Sequence, residues 1–404
     1  MSTCRICRRD GVRDWLDFGP QPLTNRYLRS AAEPEFTHQL ALGVCRACGT
    51  LQLASAVPAE ELRPRFDWVA YNEPERHLDE VASTVRGLPG VTPDSVVGAV
   101  TRMDDSALRR LAALGLPKIW RADPADLGLA AGVTGTESVQ AAFGPAAADR
   151  LAGRHGRPDV LLARHLLEHS DDVHRTLAAA RGLVRPGGYV VFEMPDVRKA
   201  LERGDYTGVW EEHQTYFTPA TLRQLLAAGG FEVVSLTRHY YPQEDMLVAV
   251  ARPGAGAAGA LSDRELAFEV ERADRYVRGF SRVRDRVRDA VAGHARGGRG
   301  VAALGAGHVC AAFINLYGLA DVFDFVADDD PRKQGLFMPG SRLPVRPSAD
   351  LVARGTGLCL MTVRSEIEAA VAAKNATFTT RGGVLASVFP DSPYALGRPA
   401  GKAA

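Results

Sequence analysis

Between positions 95 and 252 short apolar runs alternate with helix-length segments. SVVGAV is followed by a helix from Asp105, then KIWRA, a helix, PDVLLA, a helix, GGYVVFE, a helix, FEVVSLTR and MLVAVAR. Strands joined through helices must lie mostly parallel, with the helices covering both faces of their sheet. The last two runs, after Gly230, have only a short connection and read as a hairpin adding an antiparallel edge. The pattern therefore predicts an α/β chain whose central part, residues 66–253, is a doubly wound sheet. Ligands of such sheets bind beyond the carboxyl ends of the strands. Two segments leave those ends: RHLLEH (164–169), directly after PDVLLA, and the stretch opening with Glu193, Pro195 and Asp196 and closing on WEEHQTYF (210–217).

Residues 1–65 obey a different constraint. Cys4-Arg-Ile-Cys7 and Cys45-Arg-Ala-Cys48 are two CxxC pairs, the pattern of a closed tetrahedral zinc site. A redox dithiol needs only one pair, so a structural zinc holding a small β-rich domain is expected. MSTCRICRRD lacks the apolar core of a signal peptide, and six cysteines without one suit a reducing cytoplasm. No apolar stretch reaches the length of a membrane span. A formal net charge of +1 argues against a nucleic-acid partner. Basic side chains are mostly arginine, available for bidentate recognition of phosphate or carboxylate.

Residues 254–404 open on a GAGAAGA linker and a capping box, Ser262 to Glu265, that starts a charge-rich helix to about Val291. Its alternating charges suggest a solvated face. Next comes strand, Gly305-Ala-Gly307, helix, with Asp328 ending the following strand. A GxG loop with a downstream acid resembles a dinucleotide fingerprint, although Cys310 stands at the third glycine position. Nucleotide contact and tight packing are both open there. The polar, turn-rich segment 328–345 is placed to cover a cleft.

Several residues carry candidate chemistry. His165 is read as a general base or substrate ligand, with Glu168 and His169 structural. HLLEH also matches the HxxEH metal pattern, but its histidines come straight off a strand and lack the shared helix face that pattern needs. Glu212 and His213 form a second acid–base pair, in which the carboxylate would raise the basicity of the imidazole. Tyr216 and Phe217 are expected to pack on the sheet. Upstream, Phe66, Trp68 and Tyr71 precede a helix expected from Pro74 with Asn72 as N-cap. His77 and Asp79 are either a functional pair or part of an exposed face.

The CxxC pairs, RHLLEH, the EMPD strand end, EEHQTYFTPATL, and LGAGHVCAAFINLYG with DDDPRKQGLFMPGS together resemble the sugar C-methyltransferase family across nearly the whole chain. The resemblance implies a zinc domain, a class I methyltransferase-like sheet that binds S-adenosylmethionine (SAM), and a Rossmann-like C-terminal domain. It implies a nucleotide-linked keto-deoxysugar as substrate and an enolate that attacks the SAM methyl. His165, Glu212 and His213 occupy the family's acid–base positions. Substrate contacts are expected at Glu193, Trp210, Tyr216, Gly305, Gly307, His308, Asn315 and Lys333.

Two departures stand out. The family's first SAM loop is acidic and glycine-bearing, whereas the turn here is TRMDDS and Gly98 lies inside the strand. Side chains at that turn obstruct close backbone approach by the cofactor. Asp104 and Asp105 add negative charge beside its carboxylate, leaving Asp123, after KIWRA, as the surviving SAM feature. Trp210 replaces a tyrosine and cannot act as acid or base, so Tyr71 is the candidate substitute. The alternative function is a SAM-independent isomerase of a nucleotide sugar, an epimerase or ring-form mutase that keeps the acid–base site.

Overall fold

The computed structural model describes residues 2–69, 73–129, 136–254, 261–295 and 298–397; Tyr71 and Asn72 lie outside them. Three sheets carry the fold. The first is antiparallel and joins Ser2–Thr3, Asp10–Pro22, Thr37–Cys45 and Leu51–Leu53 to a last strand, Thr215–Tyr216, from far along the chain. The four knuckle cysteines meet at one end, with Cys4 Sγ 3.6 Å from Cys48 Sγ and Cys7 Sγ 3.6 Å from Cys45 Sγ. Disulfide sulfurs would lie about 2.05 Å apart. Thiolates at 2.3 Å around a tetrahedral zinc lie about 3.8 Å apart, so this donor set fits that ion.

The central sheet has six strands, in spatial order Phe231–His239, Asp245–Pro253, Tyr189–Asp196, Val160–Arg164, Val96–Ala99, Lys118–Arg121. The last four are mutually parallel; Asp245–Pro253 runs antiparallel to Tyr189–Asp196, and Phe231–His239 is antiparallel to Asp245–Pro253 in turn. Strand order reverses between Val96–Ala99 and Val160–Arg164, which makes the crevice at their carboxyl ends the expected ligand position. Gly98 is needed for packing: a Cβ there would lie 2.4 Å from the Trp120 ring.

The C-terminal sheet is wholly parallel, with Val301–Leu304 at its centre. The long helix is Asp263–Ala295, and its solvated reading needs correction. Ala273, Tyr276, Val277 and Phe280, spaced three and four apart, are buried in the core shared with the N-terminal sheet. Most charges occupy the remaining, solvated circumference, while Glu269 and Arg272 are buried and paired with each other. The helix expected from Pro74 starts later, at Leu78.

Candidate active site

The crevice at the strand-order reversal is filled by the chain itself. Residues 102–104 form a 3-10 turn capped by Thr101. Asp104, 0% exposed, accepts from the N–H groups of Val100 at 3.3 Å, Thr101 at 3.0 Å and Arg164 at 3.1 Å. It thus bridges the two strands that flank the crevice. Met103 N–H donates to Thr101 Oγ1 at 3.1 Å. Arg164, 1% exposed, donates to Met103 O and makes a bidentate pair with Glu193, both bonds 2.8 Å. Burial pushes the Asp104 carboxyl up to about 6 against the pull of Arg164.

Glu193 is the hub. It also meets His77 Nε2 at 3.2 Å and His165 Nε2 at 3.3 Å. Burial would raise its pKa, but Arg164, His165 and His77 hold it well below the usual carboxylate range. With its oxygens committed to these three, Glu193 is a support, correcting its assignment as a substrate contact.

His165 sits where the sequence placed it, at the end of strand Val160–Arg164, in a left-handed conformation of φ 50°. Such a conformation costs a non-glycine residue on the order of 1–3 kcal/mol and persists when its surroundings fix it. Here its N–H donates to Glu193 O at 2.8 Å, its C=O accepts from Gln140 at 2.7 Å, and Nδ1 meets Glu168 at 3.0 Å. Burial, which disfavours the charge, is outweighed by Glu168 and Glu193, so the imidazole titrates well above its ordinary value. Both ring nitrogens are engaged, Nδ1 on Glu168 and Nε2 on Glu193, which leaves no free nitrogen to take up a substrate proton. The general-base assignment is corrected on that ground.

His213 shows the opposite behaviour. Burial and the facing imidazoles of His169, His308 and His165 hold its pKa well below 6.5, leaving the ring neutral. The expected rise in basicity beside Glu212 is therefore not what this environment produces. The His213 ring packs 4.7 Å from His169 and 4.9 Å from Trp210, and Trp210 stacks on His308 at 4.8 Å. Glu212 accepts from Asn25 at 2.9 Å, and Glu211 from Thr24 N at 2.6 Å, so the zinc domain fixes this segment. Donor atoms of Glu168, His169 and His213 lie within 4.8 Å of one another. Such a set could hold a divalent cation, although Glu168 Oε1 already serves His165.

A cavity of about 440 Å³ opens between the central and C-terminal sheets. Trp210, Thr207 and Glu244 line it on one side, and Gly305, Gly307, His308, Asp328 and Lys333 on the other. Gly305 has φ +108°, and a Cβ there would meet Val363 at 2.7 Å; at Gly307 a Cβ would meet nothing within 4 Å. Tight packing explains the first glycine, and open approach to the cavity the second. Asp328 accepts from Ala306 N and Lys333 Nζ at 2.8 and 2.9 Å, so it braces the loop. Asn315 bonds Pro339 O at 3.1 Å and holds the segment covering the cleft, which corrects its assignment as a substrate contact. Tyr216 is also structural, its hydroxyl accepting from Trp210 N at 3.0 Å.

Asp123 stands half exposed after strand Lys118–Arg121, with Arg154 3.8 Å away. Asp105 is taken by Arg121 at 2.7 Å. SAM needs free loop N–H groups and an open crevice; among the described residues the Val100, Thr101 and Met103 donors are satisfied internally, and the Arg164 side chain lies buried at the same strand ends on Met103 O and Glu193. The assignments of Asp104 and Asp105 to cofactor are corrected accordingly. Sequence reasoning missed the roles of Arg164 and Glu244, and paired His77 with Asp79 where the structure sets it on Glu193. An arginine at the end of a buried strand, directly before His165, was the one available signal. Burial and the neighbouring Glu73, Asp205 and Glu168 push the Glu244 carboxyl up to about 8, the range of a general acid at neutral pH.

Three family models match in order: a putative zinc binding domain over 4–62, a methyltransferase domain over 97–236 and a C-methyltransferase C-terminal domain over 249–390. The C-methyltransferase NovU of Streptomyces niveus is 27% identical over 360 residues, covering 85% of this chain and 84% of that protein. Among solved structures, a Burkholderia thailandensis 1,6-didemethyltoxoflavin N1-methyltransferase with bound S-adenosylhomocysteine is 18% identical. It covers 45% of this chain and 79% of its own, with TM-score 0.31. The CcbJ methyltransferase of Streptomyces caelestis is 16% identical over 47% of this chain and 100% of its own, with TM-score 0.29.

Proposed function

Because this chain belongs to the C-methyltransferases in all three of its domains, a transferase family of enzymes, we propose that it acts on a nucleotide-linked ketosugar. In this reading it removes the proton next to the sugar carbonyl. The observation that carries it is the cavity whose two walls supply two chemistries. Gly307, the start of helix His308–Leu316 and Lys333 suit a diphosphate. The opposite wall carries Glu244 and Trp210, and the His213 ring packs on Trp210, 4.9 Å away, behind that wall. His213, neutral in its surroundings, takes the proton and protonated Glu244 can return one, while His165 is held by Glu168 and Glu193 through both ring nitrogens and braces the site. Trp210 and His308 offer stacked rings to the substrate. The zinc, held by Cys4, Cys7, Cys45 and Cys48, has a structural role.

The family assigns methylation to the carbon so activated. A second reading, return of the proton to give an isomerised sugar, is favoured by one observation, the buried Arg164 in the cofactor crevice.

The test is exchange of the sugar α-proton in heavy water, followed by NMR with a nucleoside-diphosphate ketohexose. His213→Ala should slow exchange by about 10²–10⁴-fold with an unchanged circular-dichroism spectrum. Exchange at the wild-type rate would remove His213 as the base.

A further inference from the structure

The geometry points to an enzyme that has given its cofactor crevice to its own Arg164: it binds no SAM, and it completes its reaction by returning the abstracted proton, which isomerises the sugar. This rests on the enolising site proposed for the cavity and concerns the fate of the carbanion formed there.

In a doubly wound sheet the cofactor lies where strand order reverses, with its acidic end on the N–H groups of the first strand–helix turn. In this chain that position has three properties. First, the turn donors are consumed: Thr101 N–H goes to Asp104 at 3.0 Å, Met103 N–H to Thr101 Oγ1 at 3.1 Å, and Asp104 N–H to Thr101 O at 3.1 Å. Second, the gap between the strands is bridged, since one Asp104 carboxylate holds Val100 and Thr101 on one side and Arg164 N on the other. Third, the space is occupied by a guanidinium bound to Met103 O and to both oxygens of Glu193.

Asp104, Arg164 and Glu193 are each 0 or 1% exposed. Opening the crevice would require separating a buried bidentate ion pair, which leaves one charge unpaired in the interior. It would also loosen His165, whose two ring nitrogens are held by Glu193 and Glu168. Arg164 therefore takes the place of a ligand and braces Glu193 at once. A cofactor that displaced it would strip Glu193 of its main partner.

With no methyl donor bound, the carbanion has one fate that balances without a co-reactant. His213 accepts the proton as the C–H bond breaks, and the electron pair moves onto the carbonyl oxygen. The pair then returns to carbon as a proton is delivered, either from Glu244 or from the now protonated His213. Nothing is oxidised or reduced, and the product is an isomer of the substrate. Delivery from the face opposite to abstraction inverts the carbon.

The experiment uses the full-length zinc-loaded protein. SAM and S-adenosylhomocysteine are titrated calorimetrically, with and without nucleoside diphosphate. A nucleoside-diphosphate ketohexose is separately incubated with the enzyme in heavy water without SAM and followed by NMR. The expected result is no cofactor heat up to millimolar concentration, together with a deuterated, isomerised sugar. Micromolar SAM binding would overturn the proposal. Deuterium in an otherwise unchanged sugar would overturn the isomerisation. Absence of both cofactor heat and exchange would overturn the isomerisation together with the enolising site beneath it, while the occupied crevice would stand on the calorimetry.

Discussion

Two strand–turn–helix units in this protein begin alike and end differently. Val96–Ala99 leads into a turn and then helix Asp105–Ala113; Val301–Leu304 leads into Gly305-Ala306-Gly307 and helix His308–Leu316. In each, a downstream carboxylate folds back onto the turn, Asp104 on Val100 and Thr101, Asp328 on Ala306. In each, a basic residue joins it, Arg164 through its backbone N–H and Lys333 through its ammonium. The difference lies in the turn residues and in where the cation points. Two glycines leave the second turn open on a cavity, with Lys333 at its wall. Thr101, Arg102 and Met103 close the first, and Arg164 turns inward to a buried Glu193. One architecture thus yields a binding loop or a sealed core element, according to whether side chains occupy the turn.

Zinc removal should have the largest effect and fall on one side of this comparison. Strand Thr215–Tyr216 pairs with Leu51 and Gln52, and Glu212 is held by Asn25. Cys45→Ser or chelation should therefore unfold the N-terminal sheet, a metal contribution on the order of 10 kcal/mol in small zinc domains. Hydrogen exchange should accelerate at 212–216 while 160–164 stays protected. Equal protection at both segments would mean that the acid–base segment does not depend on the metal domain.

Next come the two cations. Arg164→Ala leaves Glu193 buried without its main partner and should cost about 3–5 kcal/mol in urea denaturation. Lys333→Ala breaks a pair that is 21% exposed on the lysine side and should cost less than about 1 kcal/mol. Its effect should appear as weakened nucleoside-diphosphate binding. Similar stability losses in the two variants would erase the distinction between sealed and open turns.

The smallest effect is on pH. Glu193 is depressed below 4.5, so its contribution is full above 4.5 and is lost as pH falls through the folded value. His165 is raised above 6.5, so its contribution is full below 6.5 and is lost as pH rises through the folded value. Asp104, raised from 3.8 to about 6, contributes below 3.8 and loses that contribution as pH rises to 6. For the Glu193–His165 pair, Tm should be highest between pH 4.5 and 6.5, and Arg164→Ala should shift the acid limb toward neutrality. A Tm independent of pH in both proteins would show that the network carries no net linkage.

Much of this was legible in one dimension. The alternation of strands and helices, the hairpin edge and the cysteine pairs follow from local periodicity and ligand spacing, which need no knowledge of distant contacts. The missing turn glycine was equally visible, and so was the placing of His165 at a strand end. Less was visible for protonation. His165 and His213 look alike in sequence, yet two carboxylates face the first and other imidazoles face the second. Arg164 read as an ordinary strand-end residue until Asp104, Met103 and Glu193, brought in from three other segments, surrounded it. The sequence by itself determined the sheet types, the metal ligands and the loss of the loop glycine, because each depends on neighbours along the chain. The tertiary structure alone decided which groups are charged and which crevice is open, because burial and ion pairing depend on neighbours in space.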